Sequence, residues 1–442
     1  MTEQAPQIPG TSSTLEQLST RTNRTHRLLL KGEARDLPVF TIPVKYLFFN
    51  IENGRYADRM IRIRAENPGV SIDPRIPKWR STIGDMLLAK GTKKDERDKA
   101  ASERLKKDME EKHIQLTPGI VSADGGVLDG NRRLAVIMDL GWEHFDGVIL
   151  PPDTSAEDKW RIEAGIQMGR PLVHAYSPVN ELLKIREGLD LFRRLKKAGQ
   201  DPAPGKAPEE LVAETLYGVD PDDVKESIDR IELIDLYLEF IGKPGRYDLV
   251  GTRAERFKEA LKIVKAAENQ AMDPEDKAKL KGYLFQQILE ENLENWDLRK
   301  IYQAIGGDRS ARGRRPGPLP KSNKMLFQGL PDVEKVQALA KEAAAVRDTD
   351  GTSGPPVAIT PEAENAIKDL NTFGTELVRH VDEEKRGNEP LRLLKDIQGS
   401  LRDIADDKVK MLSTDNRESA QRALVEIKKS VEELLTLFGP NS

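Results

Sequence analysis

The sequence predicts an α+β N-terminal domain, an all-α body behind it and a C-terminal helical bundle. Three observations carry this. Short β-rich runs and one Gly-containing hairpin turn are confined to about residues 38–150. Beyond Ser155 the apolar residues recur almost only at helical spacing. A stretch rich in Gly, Pro and Arg (GGDRSARGRRPGPLPK) then separates the last amphipathic runs from the rest.

Composition sets the outer bounds. The chain has 442 residues, long enough for several domains, and 38% of them are apolar, enough for real cores. Its 70 basic residues are balanced by 74 acidic ones, which argues against a generally basic nucleic-acid coat and leaves only local patches for such contacts. There is no cysteine, so disulfides, thiolate catalysis and Cys-ligated metal centres are excluded. The five histidines (His26, His113, His144, His174, His380) show no paired metal spacing. No apolar run reaches the roughly 18 residues of a membrane span. With a polar start and no signal-peptide core, the expectation is a cytoplasmic protein with no membrane partner.

In chain order, residues 1–36 are polar, rich in Ser, Thr, Gln and basic groups, and read as a disordered arm. The α+β domain spans 37–155. Val39–Val44 is β-rich, and Tyr46-Leu47-Phe48-Phe49 follows. Residues 93–112 form a charged helix with little apolar face. Ile114–Leu128 reads as two strands around the turn Asp124-Gly125-Gly126. A helix over 131–140 follows, with Leu134, Ile137 and Met138 on one face and Gly141 where a C-terminal cap belongs. Phe145–Leu150 is another strand, stopped by Pro151-Pro152.

Helices are expected at about 156–169, 179–198, 208–217, 221–230, 231–241, 252–268 and 274–305, with a Pro/Gly loop at 201–208. Residues 306–359 have the composition of a flexible linker. From Thr360-Pro361-Glu362, a good helix start, three apolar stripes follow through residue 442. They are Ala363/Ile367/Leu370/Phe373/Leu377, Leu394/Ile397/Leu401/Ile404 and Leu424/Ile427/Val431/Leu434/Phe438. Three such helices can close a bundle or pair with a second copy, so self-association is expected there. Trp79, Trp142, Trp160 and Trp296 are expected to pack in cores.

The sharpest local signal is Val127-Leu128-Asp129-Gly130-Asn131-Arg132-Arg133-Leu134. A strand ends, glycine permits a tight turn and a helix begins. Unpaired N–H groups at a helix start carry partial positive charge and suit an anion. Gly130 allows close approach. Arg132 and Arg133 add guanidinium forks suited to phosphate oxygens. Asn131 is a candidate cap or ligand contact, and Asp129 a candidate acceptor for a sugar hydroxyl or ligand for Mg2+. The alternative is a capped helix bearing two solvated arginines.

The order of these segments resembles the ParB/sulfiredoxin-like family. IPVKYLFFNIENGR is similar to the opening strand and Asn-x-x-Arg segment of ParB domains, and the stretch ending in GVLDGNRRLAVIMDLGW to their hairpin and "GERRxRA" helix. PEELVAETLYGVDPDDVKESIDRIELIDL is similar to their helix-turn-helix. The likeness spans about 38–240. It implies phosphate binding, typically of CTP or ATP with Mg2+, at Gly130, Arg132 and Arg133, with Asn53 and Arg55 matching the earlier segment. It also implies action on or near DNA in a plasmid, phage or defence setting. The family also holds nucleases and NTPases, so a metal-dependent enzyme is the second expectation and a non-catalytic interaction module the third.

Three departures stand out. Asn131 replaces the Glu of GERR. The Glu-Asn-x-x-Arg segment is reduced to Glu163, Gln167 and Arg170. The sulfiredoxin cysteine is missing, which excludes that activity.

Charge and resemblance disagree over DNA. Residues 205–247 hold five basic and eleven acidic side chains, a net of −6. A groove-reading helix beginning Asp-Pro-Asp-Asp would meet phosphates with like charge. DNA contact is therefore expected to be mainly non-specific, through the basic stretches 21–35 and 309–321 or the α+β domain.

Overall fold

The computed structural model describes residues 14–90, 96–168, 176–216, 219–269, 272–306, 319–347, 359–402, 404 and 413–437. A six-stranded mixed sheet forms the N-terminal part and is followed by helices. Its strands are β1 (Thr20–Leu30), β2 (Glu33–Pro43), β3 (Phe48–Phe49), β4 (Gly119–Val121), β5 (Gly126–Asp129) and β6 (His144–Ile149), in the spatial order β1-β2-β6-β4-β5-β3. β4 lies parallel to β6, and β3 to β5; the other neighbours are antiparallel.

Four helices belong to this part: α1 (Ala57–Glu66), α2 (Pro77–Leu87), α3 (Glu96–Lys112) and α4 (Asn131–Asp139). The apolar face of α4 (Leu134, Ile137) packs with Phe49, Val121 and Phe145, so the strand-turn-helix read from sequence is a core element. Gly141 adopts φ +70° and ends α4 as the sequence predicts. The other sheet face (Leu28, Val39, Ile120, Leu128, Val148) is covered by Ile162 of α5 (Ala156–Met168).

The N-terminal arm is a correction. Residues 1–13 lie outside the described residues, but Thr20–Asp36 is not disordered. It forms β1 and the start of β2, registered from Thr20↔Thr41 to Leu30↔Glu33. Leu28 and Leu30 are buried on the inward face, and Arg24 pairs with Asp146 on β6 at 3.0 Å. Thr22, Arg24, His26, Leu28 and Leu30 alternate with the exposed Asn23, Thr25, Arg27 and Leu29, so this is a half-buried edge strand whose polar composition hid its period of two.

The body comprises α6 (Pro178–Lys197), α7 (Pro208–Thr215), α8 (Pro221–Phe240), α9 (Ala254–Asn269), α10 (Pro274–Glu290), α11 (Asn295–Ala304), α12 (Pro320–Gly329), α13 (Val333–Arg347) and α14 (Pro361–Arg402). Residues 306–359 are thus not only a linker. Leu326 of α12 and Ala340 and Ala343 of α13 are fully buried in the body's core. The bundle expectation also changes. Ile367, Leu370 and Leu377 of α14 complete that same core instead of starting a separate bundle. The later stripes are exposed: Ile397 and Leu401 on α14, Ile404 beyond its end, and Leu424, Ile427, Val431 and Leu434 on α15 (Thr414–Leu437). Leu394 is half-buried, and Phe438 lies outside the described residues. Trp79 and Trp160 are buried and Trp142 packs at the edge of the N-terminal core, but Trp296 is 65% exposed. No helix among the described residues is long and apolar enough to cross a membrane.

Candidate phosphate-binding site

The strand β5 delivers Asp129, and Gly130 then turns the chain into α4 with φ +98°, a conformation that disfavours any residue with a Cβ. A methyl there would also meet Arg133 Nη2 at 3.0 Å and Phe145 at 3.1 Å. The capping residue is glycine, so it offers no side-chain acceptor to the first turn of α4.

Asn131 neither caps the helix nor faces outward. Its amide is buried, donating to Val127 O at 2.7 Å and accepting from Asn50 N–H at 3.0 Å. It ties the loop after β3 to β5 and the first residue of α4. Asn53 makes a parallel tie: its side chain donates to Leu128 O at 3.1 Å and accepts from Arg55 N–H at 3.0 Å. The two segments singled out from sequence are therefore stitched together by two buried amides.

The guanidiniums divide in role. Arg133 donates to Asp129 Oδ2 at 2.7 Å and to Thr117 O at 2.8 Å, so it braces the turn. Asp129 is further held by Gln167 Nε2 at 2.7 Å. Arg55 donates to Gln167 Oε1. Burial and the nearby positive charge of Arg132 both pull the Arg55 pKa below its ordinary value. Arg132 donates Nη2 to Asp98 Oδ1 of α3 at 2.6 Å, and Arg59 of α1 reaches the other oxygen of Asp98 at 3.2 Å. Burial alone would raise the Asp98 pKa, but Arg132, Arg59 and Arg55 together hold it below the usual carboxylate range.

Behind this layer lies a buried polar seam. Glu163 Oε1 accepts from Gly54 N–H at 2.8 Å and from Tyr176 O–H at 3.0 Å, while Oε2 faces Lys184 Nζ at 3.0 Å. Asn180 of α6 bonds both Arg55 O and Asp58, so the first turn of α6 fixes the loop that carries Arg55. Gly54 has no room for a side chain, since a Cβ would lie 2.9 Å from the Tyr176 ring.

All seven site residues read from the sequence fall into this one cluster. Sequence reasoning missed Arg59, Asp98, Tyr176, Asn180 and Lys184, and treated Glu163 and Gln167 as remnants. Only the last two had a local signal; Arg170 lies outside the described residues. Among the described residues, no group of three His, Asp or Glu stands together as a metal site.

No family model matches the chain, and no curated protein matches it. A solved structure described as the C2221 form of a Pnob8-like ParB-N domain is similar, with a TM-score of 0.35 at 12% identity, over 63% of this chain and 99% of that one. At those values the functional reading rests on the chain's own geometry.

Proposed function

We propose that this chain is a ParB-like nucleotide-binding protein acting on or near DNA, holding the nucleotide's phosphates at the start of α4. The carrying observation is the meeting of Arg55, Arg59 and Arg132 beside the helix start after Gly130. Guanidiniums repel one another, and burying them together is costly unless an anion joins them. Oriented N–H groups at a helix start add to that preference. Asn53, Asn131 and Arg133 act as braces holding the cluster in place. The ligand class is a nucleoside triphosphate such as CTP or ATP, arriving with Mg2+ on its own phosphates.

DNA contact is proposed to be mainly non-specific. In α8, Asp220 and Asp223 cap the helix start, accepting from Asp222 N–H and Asp220 N–H, so acidic groups stand at the end that would enter a groove. The edge strand β1 instead exposes Arg21 and Arg27. Self-association through the exposed stripes of α14 and α15 belongs to the same proposal.

Equilibrium binding of labelled CTP, ATP and GTP, with and without Mg2+ and duplex DNA, tests the reading. Saturable binding of at least one triphosphate supports it. No binding of any triphosphate to the folded chain rejects it.

A further inference from the structure

A guanidinium offers a side-on fork, Nε–H beside Nη2–H, that two oxygens can fill. Arg132 uses only half of its fork. Nη2 donates to Asp98 Oδ1 at 2.6 Å, whereas Nε is buried with no acceptor among the described residues. A buried donor without a partner is costly to leave unpaired. Asp98 cannot supply the missing acceptor from where it sits, because its second oxygen is turned to Arg59 at 3.2 Å. Two oxygens thus serve two arginines, with a third, Arg55, close enough for its charge to act on the same carboxylate.

One planar carboxylate is shared between the guanidiniums of Arg132 and Arg59. A terminal phosphate carries up to two negative charges and three acceptor oxygens in a tetrahedral array. It can meet Arg132 Nε, Arg132 Nη2 and Arg59 together, which a planar carboxylate does not. We propose that Arg55, Arg59 and Arg132 form a phosphate subsite which Asp98 occupies in the ligand-free chain, and that the ligand's terminal phosphate displaces the Asp98 carboxylate.

This rests on the nucleotide reading above and adds to it two residues, one ligand-binding (Arg59) and one competing (Asp98). Asp98 is already 42% exposed, so its carboxylate leaves towards water and not into a core. Arg133 stays on Asp129 throughout and has no part in the exchange. Occupation by a built-in carboxylate holds the arginines together when no ligand is present, and it lowers apparent affinity by the cost of displacing that group.

The test uses the full chain and inorganic pyrophosphate as the probe, with calorimetric affinity and ligand-induced thermal shift as readouts. Asp98→Asn and Asp98→Ala should bind pyrophosphate about tenfold more tightly than the wild type, and Arg59→Ala about tenfold more weakly. Asp98→Asn keeps the side-chain volume, so it serves if the alanine variant does not fold. Equal or weaker binding by the Asp98 variants, while the wild type binds and Arg132→Ala does not, overturns the exchange but leaves the nucleotide reading standing. Unchanged affinity in Arg59→Ala likewise overturns the three-arginine subsite. If neither the wild type nor the Asp98 variants bind pyrophosphate or any triphosphate, the nucleotide reading fails and this inference fails with it.

Discussion

Lys184 Nζ stands 3.0 Å from Glu163 Oε2, both side chains almost fully buried where α6 crosses α5. Glu163 also holds Gly54 N–H, so this ion pair links the helical body to the loop that presents Arg55. Burial alone would push the Lys184 pKa down, but Glu163 and Glu187 keep it raised and the ammonium charged. Removing one partner strands the other charge in a dry site, at a cost of about 3–5 kcal/mol. Lys184→Met should lose about that much in chemical denaturation. The double variant with Glu163→Gln should lose less than the two single losses added together. A loss below about 1 kcal/mol in Lys184→Met would show that the pair does not hold this seam.

Glu187 gives a pH signature. Burial raises its pKa to about 7, against the lowering effect of Lys184 at 3.1 Å. A carboxyl with a raised folded pKa contributes stability in full below its unfolded value, near 4.5, and loses it as pH climbs through about 7. Its side chain is 42% exposed, so solvent screening reduces the slope. Melting temperature measured from pH 5 to 8 should show this group's contribution falling with pH, and Glu187→Gln should flatten that part of the profile. An identical profile in the variant would remove Glu187 as its cause.

Much of the site was legible because it is local. Strand, Gly130 turn and the stripe Leu134/Ile137 lie within eleven residues, and the turn needs a glycine at positive φ. Arg59 and Asp98 were not legible. They join Arg132 from 73 and 34 residues away, and Asp98 sits in a helix where most residues are charged. The helices α12 and α13 were lost for another reason. α13 presents its buried face largely through Ala340, Ala343 and Ala344, and alanine gives little periodic signal next to a Gly/Pro/Arg-rich stretch. In the tail, spacing marks an apolar face but does not say what covers it. The first stripe closes the body's own core, whereas the second and third are left exposed.

Truncation separates those stripes. Ending the chain at 359 removes Ile367, Leu370 and Leu377 from the core and should leave an unstable or aggregating protein. Ending it at 387 keeps that core and deletes the exposed stripes of α14 and α15. That shorter chain should stay folded by circular dichroism and be monomeric by sedimentation, while the full chain self-associates. The same oligomeric state in both chains would place assembly elsewhere.

The charges of α8 and β1 predict where DNA affinity resides. Fluorescence anisotropy with the full chain should show weak duplex binding that falls steeply with salt and varies little with sequence. Arg21→Ala with Arg27→Ala should weaken it, and Lys225→Ala on α8 should not. Tight, sequence-selective binding that survives physiological salt and is lost in Lys225→Ala would restore a groove-reading role to α7 and α8.

The central claim is that the loop after Gly130 holds nucleotide phosphates, and calorimetric titration of the best-binding triphosphate into the wild type and into Arg132→Ala tests it most directly. Each charge-assisted bond contributes about 1.5–3 kcal/mol, so the folded variant should lose at least about tenfold in affinity. Circular dichroism on the same samples confirms that the fold is kept. Affinity unchanged in folded Arg132→Ala would contradict the account.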